Sequence, residues 1–173
     1  PIVDPPSGSA KDPRYPMKLR DIVVEQAIIP QLTSTKRDDV ITELIDALVE
    51  AGSVDASLQE EFVKAVLSRE RKGSTGFGHG VAVPHVKSPK VEKLTVAIGV
   101  STEGIDFKAL DKEPVYSLFL LMSPEDRPEE HLDAMEAIFG NLQDDQFRKF
   151  LRQASSVADV VTLLDEADTA QVR

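Results

Sequence analysis

The eight residues Val115-Tyr116-Ser117-Leu118-Phe119-Leu120-Leu121-Met122 form a nearly unbroken apolar run. The run is too short for a membrane helix and reads as a β-strand covered on both faces. Such a strand needs one layer above it and another below, and the flanking segments have the pattern to supply them. Val40, Ile41, Leu44, Ile45, Leu48 and Val49 recur at the helical period, after a Thr35 and Asp38 pair that resembles a capping box and before Gly52, which stops the helix. A second helix opens at Ser57, with Glu60 three residues on, and carries Phe62, Val63, Val66 and Leu67 on one face.

Beyond the apolar strand, a helix from Pro128 toward Asp144 turns Leu132, Met135, Ile138, Phe139 and Leu142 inward, and Ser156 with Asp159 caps a last helix ending near Glu166. Val81-Ala82-Val83 and Leu94 to Val100 read as further strands, with a polar turn from Asp106 to Pro114. Near the start, Leu19, Ile22 and Val23 fall at helical spacing, and Ala27 to Ile29 is short enough to be strand or loop. The fold class is therefore α/β, a single-domain sandwich whose central sheet is flanked by α-helices. Pro1 to Pro16 holds five of the eleven prolines and few apolar groups, so residues 1–16 read as a flexible leader, 17–166 as the domain and 167–173 as a C-terminal tail.

Composition narrows the chemistry. With no cysteine, thiol catalysis, iron–sulfur clusters, cysteine-based zinc sites and disulfides are all ruled out. No apolar stretch reaches eighteen residues and no signal-peptide pattern opens the chain, so neither membrane insertion nor export is expected and the cytoplasm is the default. Thirty acids against twenty bases give a net charge of −10, the wrong sign for holding nucleic acid through its phosphates. The window from Arg69 to Lys93 runs against this balance. It holds Arg69, Arg71, Lys72, Lys87, Lys90 and Lys93 against only Glu70 and Glu92, a positive island able to steer a phosphate or an acidic partner face.

Two of the three histidines, His79 and His85, fall in or just after Gly73-Ser74-Thr75-Gly76-Phe77-Gly78-His79-Gly80. Four glycines in eight residues rule out a regular helix there and leave room for backbone N–H groups to turn toward an anion. Pro84 cannot donate to a sheet ladder, so His85 is expected where strand pairing ends, at an accessible margin. Arg69, at the end of its helix, can pair with a phosphoryl group. His131 shares a helical line with Met135, Ile138 and Leu142, near the N-terminal dipole that lowers an imidazole pKa, and a neutral ring there donates to a phosphoryl oxygen through whichever nitrogen carries the proton. Each feature has a plainer reading: Gly-His-Gly needs no special chemistry, His131 fits a partly buried packing role, and a basic window is often an ordinary solvated face. The glycine run matches neither phosphate-loop nor dinucleotide patterns, and no H-E-x-x-H or G-x-S-x-G occurs, so nucleotide, metal and serine-triad chemistry have no motif here.

Taken together, Ser68 to His85, then Gly104-Ile105-Asp106-Phe107, Leu110-Asp111, Pro114-Val115, the strand Leu118 to Met122 and Glu130-His131-Leu132, resemble the enzyme IIA domains of the bacterial phosphotransferase system, mannitol/fructose and nitrogen-regulatory type. The resemblance covers about Met17 to Glu166. It implies a mixed central sheet and makes His85 the phosphoryl acceptor, through Nε2. It also implies Arg69 and His131 as active-site partners, with Ser74, Thr75, Gly76, Gly78 and Gly80 supporting the phosphoryl loop and His79 tuning that loop where the family often has asparagine. The implied donor is an HPr-like phosphocarrier protein and the implied acceptor an enzyme IIB domain, in fructose- or mannitol-type sugar uptake, with no cofactor or metal. The alternative is a nitrogen-type regulatory IIA whose phosphorylation state controls binding to a transporter or kinase, which a chain with no fused IIB or permease segment modestly favours. A degenerate, unphosphorylated binding module is a third reading.

Overall fold

The computed structural model describes residues 17–171, so the expected leader lies outside the described residues. Its centre is the antiparallel pair β5 (Thr95–Ile105) and β6 (Val115–Pro124), with the apolar run as β6. β1 (Val23–Ile29) lies parallel to β5 on one side. On the other side of β6, β3 (Val81–Ala82) and β4 (His85–Ser88) both pair with it in parallel, one beyond the other, and β2 (Gly76–Gly78) pairs antiparallel with β3. The sheet is mixed and six-stranded.

The pleat of β5 and β6 explains the layers. Val96, Ile98, Val100, Phe119 and Leu121 face one way, into a core shared with α1 (Leu19–Ile22), α4 (Pro128–Leu142), α5 (Asp145–Gln153) and α6 (Val157–Gln171). Ala97, Leu118, Leu120 and Met122 face the other way, against α2 (Arg37–Glu50) and α3 (Gln59–Lys72). Phe119, Leu118, Leu120 and Leu121 have no exposed surface, and each such side chain contributes about 1.5–3 kcal/mol of burial. By the same alternation, Val81 and Val83 belong to the first core and Ala82 and Val86 to the second, so His85 falls on the α4 side of the sheet.

Several local expectations are corrected. Residues Val23 to Ile29 are one strand, paired with a core neighbour that overrides the helical spacing of Val23. The start of α2 is not a capping box: its N-cap is Lys36 with no side-chain cap bond, and the Glu43 carboxylate instead accepts the N–H groups of Thr33 at 3.1 Å and Ser34 at 2.9 Å. The cap ahead of α3 is Asp55, whose carboxylate takes the Ser57 N–H and starts a short 3-10 turn, Ala56–Leu58. Leu132 is 65% exposed, because it lies one residue off the buried stripe of His131, Ala134 and Ile138.

Helix α5 was not expected from the sequence; Asp144 caps it by accepting the N–H groups of Gln146 and Phe147. Ser156 Oγ does cap α6, accepting from the Asp159 N–H at 3.1 Å, but the helix runs on to Gln171. Most of the expected tail is therefore helical, and the buried Asp168 carboxylate accepts the N–H groups of Leu19 and Arg20 at the start of α1.

Gly104 sits where the β5–β6 register shifts, with φ +89°, and a Cβ there would lie 2.8 Å from Pro114 Cβ and 2.9 Å from Tyr116 Cε1. Gly104→Ala is expected to cost about 2 kcal/mol or more of stability, combining left-handed strain with a clash against the Pro114 and Tyr116 side chains. Urea unfolding checks this, and an unchanged midpoint would show that the bulge relaxes freely.

Candidate functional site

The glycine-rich segment folds as a β2–β3 hairpin, not as an open loop. Its two-residue turn is His79-Gly80, with φ +60° and +76°, the positive values that a type I′ turn demands at both central positions. His79 is one of few residue types that tolerate this region, and its N–H donates to the Asp111 carboxylate at 3.3 Å. Its side chain is exposed and lines a cleft with Asp111, Tyr116, Arg148 and Arg152 that includes neither His85 nor His131.

A relay of hydrogen bonds fixes what precedes His85. The stripe Phe62, Val66, Glu70 is the buried face of α3, so Glu70 is carried into the interior with 2% exposure. Its carboxylate accepts the Thr75 N–H and the Thr75 hydroxyl, both at 2.7 Å. The Thr75 carbonyl accepts the Val83 N–H at 3.3 Å, and the Val83 carbonyl meets His85 Nδ1 at 2.9 Å. Ser74 Oγ accepts the Gly76 N–H at 3.0 Å and donates to the Phe107 carbonyl at 2.9 Å. The N–H groups of Thr75 and Gly76 are thus already taken, so these residues shape the loop and do not form a nest for an anion. Gly76 has no room for a side chain, since a Cβ would meet Ala109 Cβ at 2.9 Å, and Gly78 and Gly80 carry the positive φ of the hairpin.

A carbonyl oxygen only accepts, so His85 Nδ1 carries the proton in this contact and Nε2 is left with its lone pair. His85 was expected where pairing ends, whereas pairing stops at Val83-Pro84 and resumes with His85, which lies opposite Leu121 in β4. The ring is only partly buried. His131, in the first turn of α4, follows β6 after a short connection and is buried, with Nδ1 2.7 Å from Ser123 Oγ. The two imidazole centroids are 5.6 Å apart at 52°.

Both imidazoles are neutral at physiological pH. Burial pushes the His85 pKa below its ordinary value; the Val83 carbonyl opposes this, and the Arg69 guanidinium and Lys87 reinforce it. Burial again, then Lys87 and His85, lower the His131 pKa to about 4. The expected direction at His131 holds, with burial as its largest cause.

Arg69 lies in the last turn of α3 and is partly exposed, with its guanidinium donating to the Gly73 carbonyl at 2.9 Å and its charge felt at His85. Two of the window's six cations are ion-paired, Lys90 with Glu61 at 2.8 Å and Arg71 with Asp38 at 3.8 Å. Arg69 and Lys87 are the window's cations whose fields reach His85. Three contributors were missed from sequence, and each has a signal. Glu70 is an acid on an apolar helical stripe, Lys87 stands two strand positions after His85 on the same face, and Ser123 is the polar residue ending the apolar run. Among the described residues, no group of His, Asp and Glu is arranged to hold a metal ion. Nor is any helix there long and apolar enough to cross a membrane.

Comparison with known proteins gives the chain's family and fold relatives. The model of the family described as phosphoenolpyruvate-dependent sugar phosphotransferase system, EIIA 2, matches residues 21–167. The fructose-specific EIIA component of Haloferax volcanii is 37% identical over 130 residues, 75% of this chain and 83% of that one. The fructose-specific EIIABC component of Bacillus subtilis is 29% identical over 152 residues, 88% of this chain but only 24% of that protein's length. Among solved structures, nitrogen regulatory protein IIA-Ntr from Neisseria meningitidis superimposes with a TM-score of 0.75 at 28% identity, covering 83% of this chain and 97% of that one.

The depressed histidine pKa values make stability pH-dependent. Between about 6.5 and about 4 the unfolded chain binds a proton at residue 131 that the folded chain does not, so stability is complete above this window and falls as pH drops through it. His131 alone should cost up to about 3 kcal/mol by the lower end. Urea unfolding from pH 7 to 4 should show a shallower loss in His131→Gln than in the unaltered protein; equal slopes would mean that the folded ring titrates normally.

Proposed function

Because the chain belongs to the EIIA 2 family of the phosphoenolpyruvate-dependent sugar phosphotransferase system, we propose that it is a phosphohistidine carrier. It accepts a phosphoryl group on His85 from an HPr-like protein and passes it to an enzyme IIB domain serving fructose- or mannitol-type sugar uptake. The supporting observation is the 2.9 Å contact between His85 Nδ1 and the Val83 carbonyl, which leaves Nε2 as the free nucleophile.

The Nε2 lone pair forms the new P–N bond while the donor's P–N bond breaks and its electron pair returns to the donor imidazole. His85 keeps its Nδ1 proton throughout. As Nε2 bonds to phosphorus the ring takes on positive charge, and the Val83 carbonyl stabilises it through the same hydrogen bond, in keeping with its upward pull on the His85 pKa. The transferring group passes through a loose arrangement with negative charge on three equatorial oxygens, so catalysis is mostly alignment and positive or donor groups around them. Arg69 and His131 fill those roles, and Ser74, Thr75, Gly76, Gly78 and Gly80 hold the hairpin that sets His85. Transfer between two imidazoles has little intrinsic driving force and is reversible.

The likeness to the Neisseria nitrogen regulatory protein supports a second reading, in which the same phosphorylation on His85 controls binding to a transporter or kinase. Transfer of label from the phosphorylated protein to a purified fructose-type IIB domain supports the first reading; retention of label, with a partner captured by one phosphorylation state only, supports the second.

Incubation with labelled phosphoenolpyruvate, enzyme I and an HPr-like protein should label the chain. His85→Ala should abolish the label, and Arg69→Ala or His131→Ala should slow its appearance by on the order of 100-fold with the fold intact. Acid-labile label on the His85→Ala protein would show that another residue is the acceptor.

A further inference from the structure

His131 has one unassigned feature with consequences for transfer: which ring nitrogen carries its proton. Ser123 Oγ is 2.7 Å from His131 Nδ1, and both residues are buried, Ser123 completely. The hydroxyl can donate or accept, so the distance alone permits either tautomer. Satisfaction of the buried hydroxyl separates them. If Nδ1–H donated to Ser123, the serine proton would need a second acceptor, and Ser123 Oγ makes no other hydrogen bond among the described residues. If the hydroxyl donates, its proton and the Nδ1 lone pair are satisfied together, with no unpaired buried donor left over.

We propose that Ser123 is a positioning residue for phosphoryl transfer, donating to His131 Nδ1 and thereby holding the His131 proton on Nε2. The inference rests on the reading of His85 as acceptor for its catalytic consequence, though not for the tautomer itself. An Nε2–H group is a donor, the kind of atom that an equatorial phosphoryl oxygen on the neighbouring ring calls for, whereas an Nε2 lone pair would repel it. The strand register supports the placement. Ser123 lies opposite Lys87 and Leu121 opposite His85, so the residue that orients His131 stands two positions along β6 from the acceptor's own partner, on the face that α4 covers. The neutrality of His131 makes the choice matter, since a protonated ring would offer both N–H groups whatever Ser123 did.

Imidazole ¹⁵N spectra of the full chain at pH 7 test the assignment without any phosphorylation. The unaltered protein should show His131 predominantly as the Nε2–H tautomer; Ser123→Ala should lose that predominance, and Ser123→Thr should restore it. In the labelling assay, Ser123→Ala should slow phosphoryl transfer about tenfold, the scale of one neutral hydrogen bond, and Ser123→Thr should recover most of the rate. A predominant Nδ1–H tautomer in the unaltered protein, or an unchanged tautomer in Ser123→Ala, would overturn the proposal. So would a changed tautomer with an unchanged rate, or an equal loss of rate in both variants. If the unaltered protein took no label at all, the carrier reading would fail while the spectra still decided the tautomer.

Discussion

His85 Nδ1 meets the Val83 carbonyl at 2.9 Å because the chain between them contains a proline that interrupts the sheet. β3 stops at Ala82 and β4 starts at His85, both on β6, so the Val83 carbonyl is available to the ring two residues on. The contact orients the imidazole and fixes its proton, and the surrounding structure holds Val83 in place. The Val83 N–H is tied to Thr75, Thr75 to Glu70, and Glu70 to the buried face of α3. A carboxylate with 2% exposure is stable only when its oxygens are satisfied, which the two 2.7 Å bonds to Thr75 accomplish. The glycine-rich hairpin thus acts as a strut between a helix and His85.

Two opposing requirements meet at the histidine pair. An acceptor imidazole must be neutral to attack phosphorus, yet the group it receives is strongly anionic and needs cations near it. Burial dominates at both rings and keeps them neutral, and the fields of Arg69 and Lys87 act in the same direction at His85. In the proposed transfer, the cations that suit the phosphoryl group therefore also suppress premature protonation of His85. The Val83 carbonyl opposes them, favouring the charged ring that the proposed transfer would create.

The layers were legible in the sequence because β6 is apolar on both faces, which admits few solutions other than a sheet between two helical layers. The resemblance in residues 68–85 and 130–132 was likewise borne out by the family match. Contacts that depend on distant residues were less readable. Thr35 and Asp38 have the spacing of a capping box, but Glu43 reaches back to the approach and the box does not form. α5 is strongly amphipathic, with Phe147 and Leu151 on its buried face behind the Asp144 cap, but two buried apolar positions within nine residues are too few to separate a helical period from chance in the sequence. The glycines suggested a nest of free N–H groups, whereas Glu70 and Ser74 consume two of them. A serine at the end of an apolar strand and an acid on an apolar stripe acquire their meaning only when the strand and helix are placed against His131 and Thr75.

The proposed transfer depends on which nitrogen of His85 is free. Correlated ³¹P and ¹⁵N spectra of the phosphorylated protein identify the atom bonded to phosphorus directly. Phosphorus on Nε2 of His85, with Nδ1 still protonated, is the predicted result; phosphorus on Nδ1, or on any other residue, would contradict it.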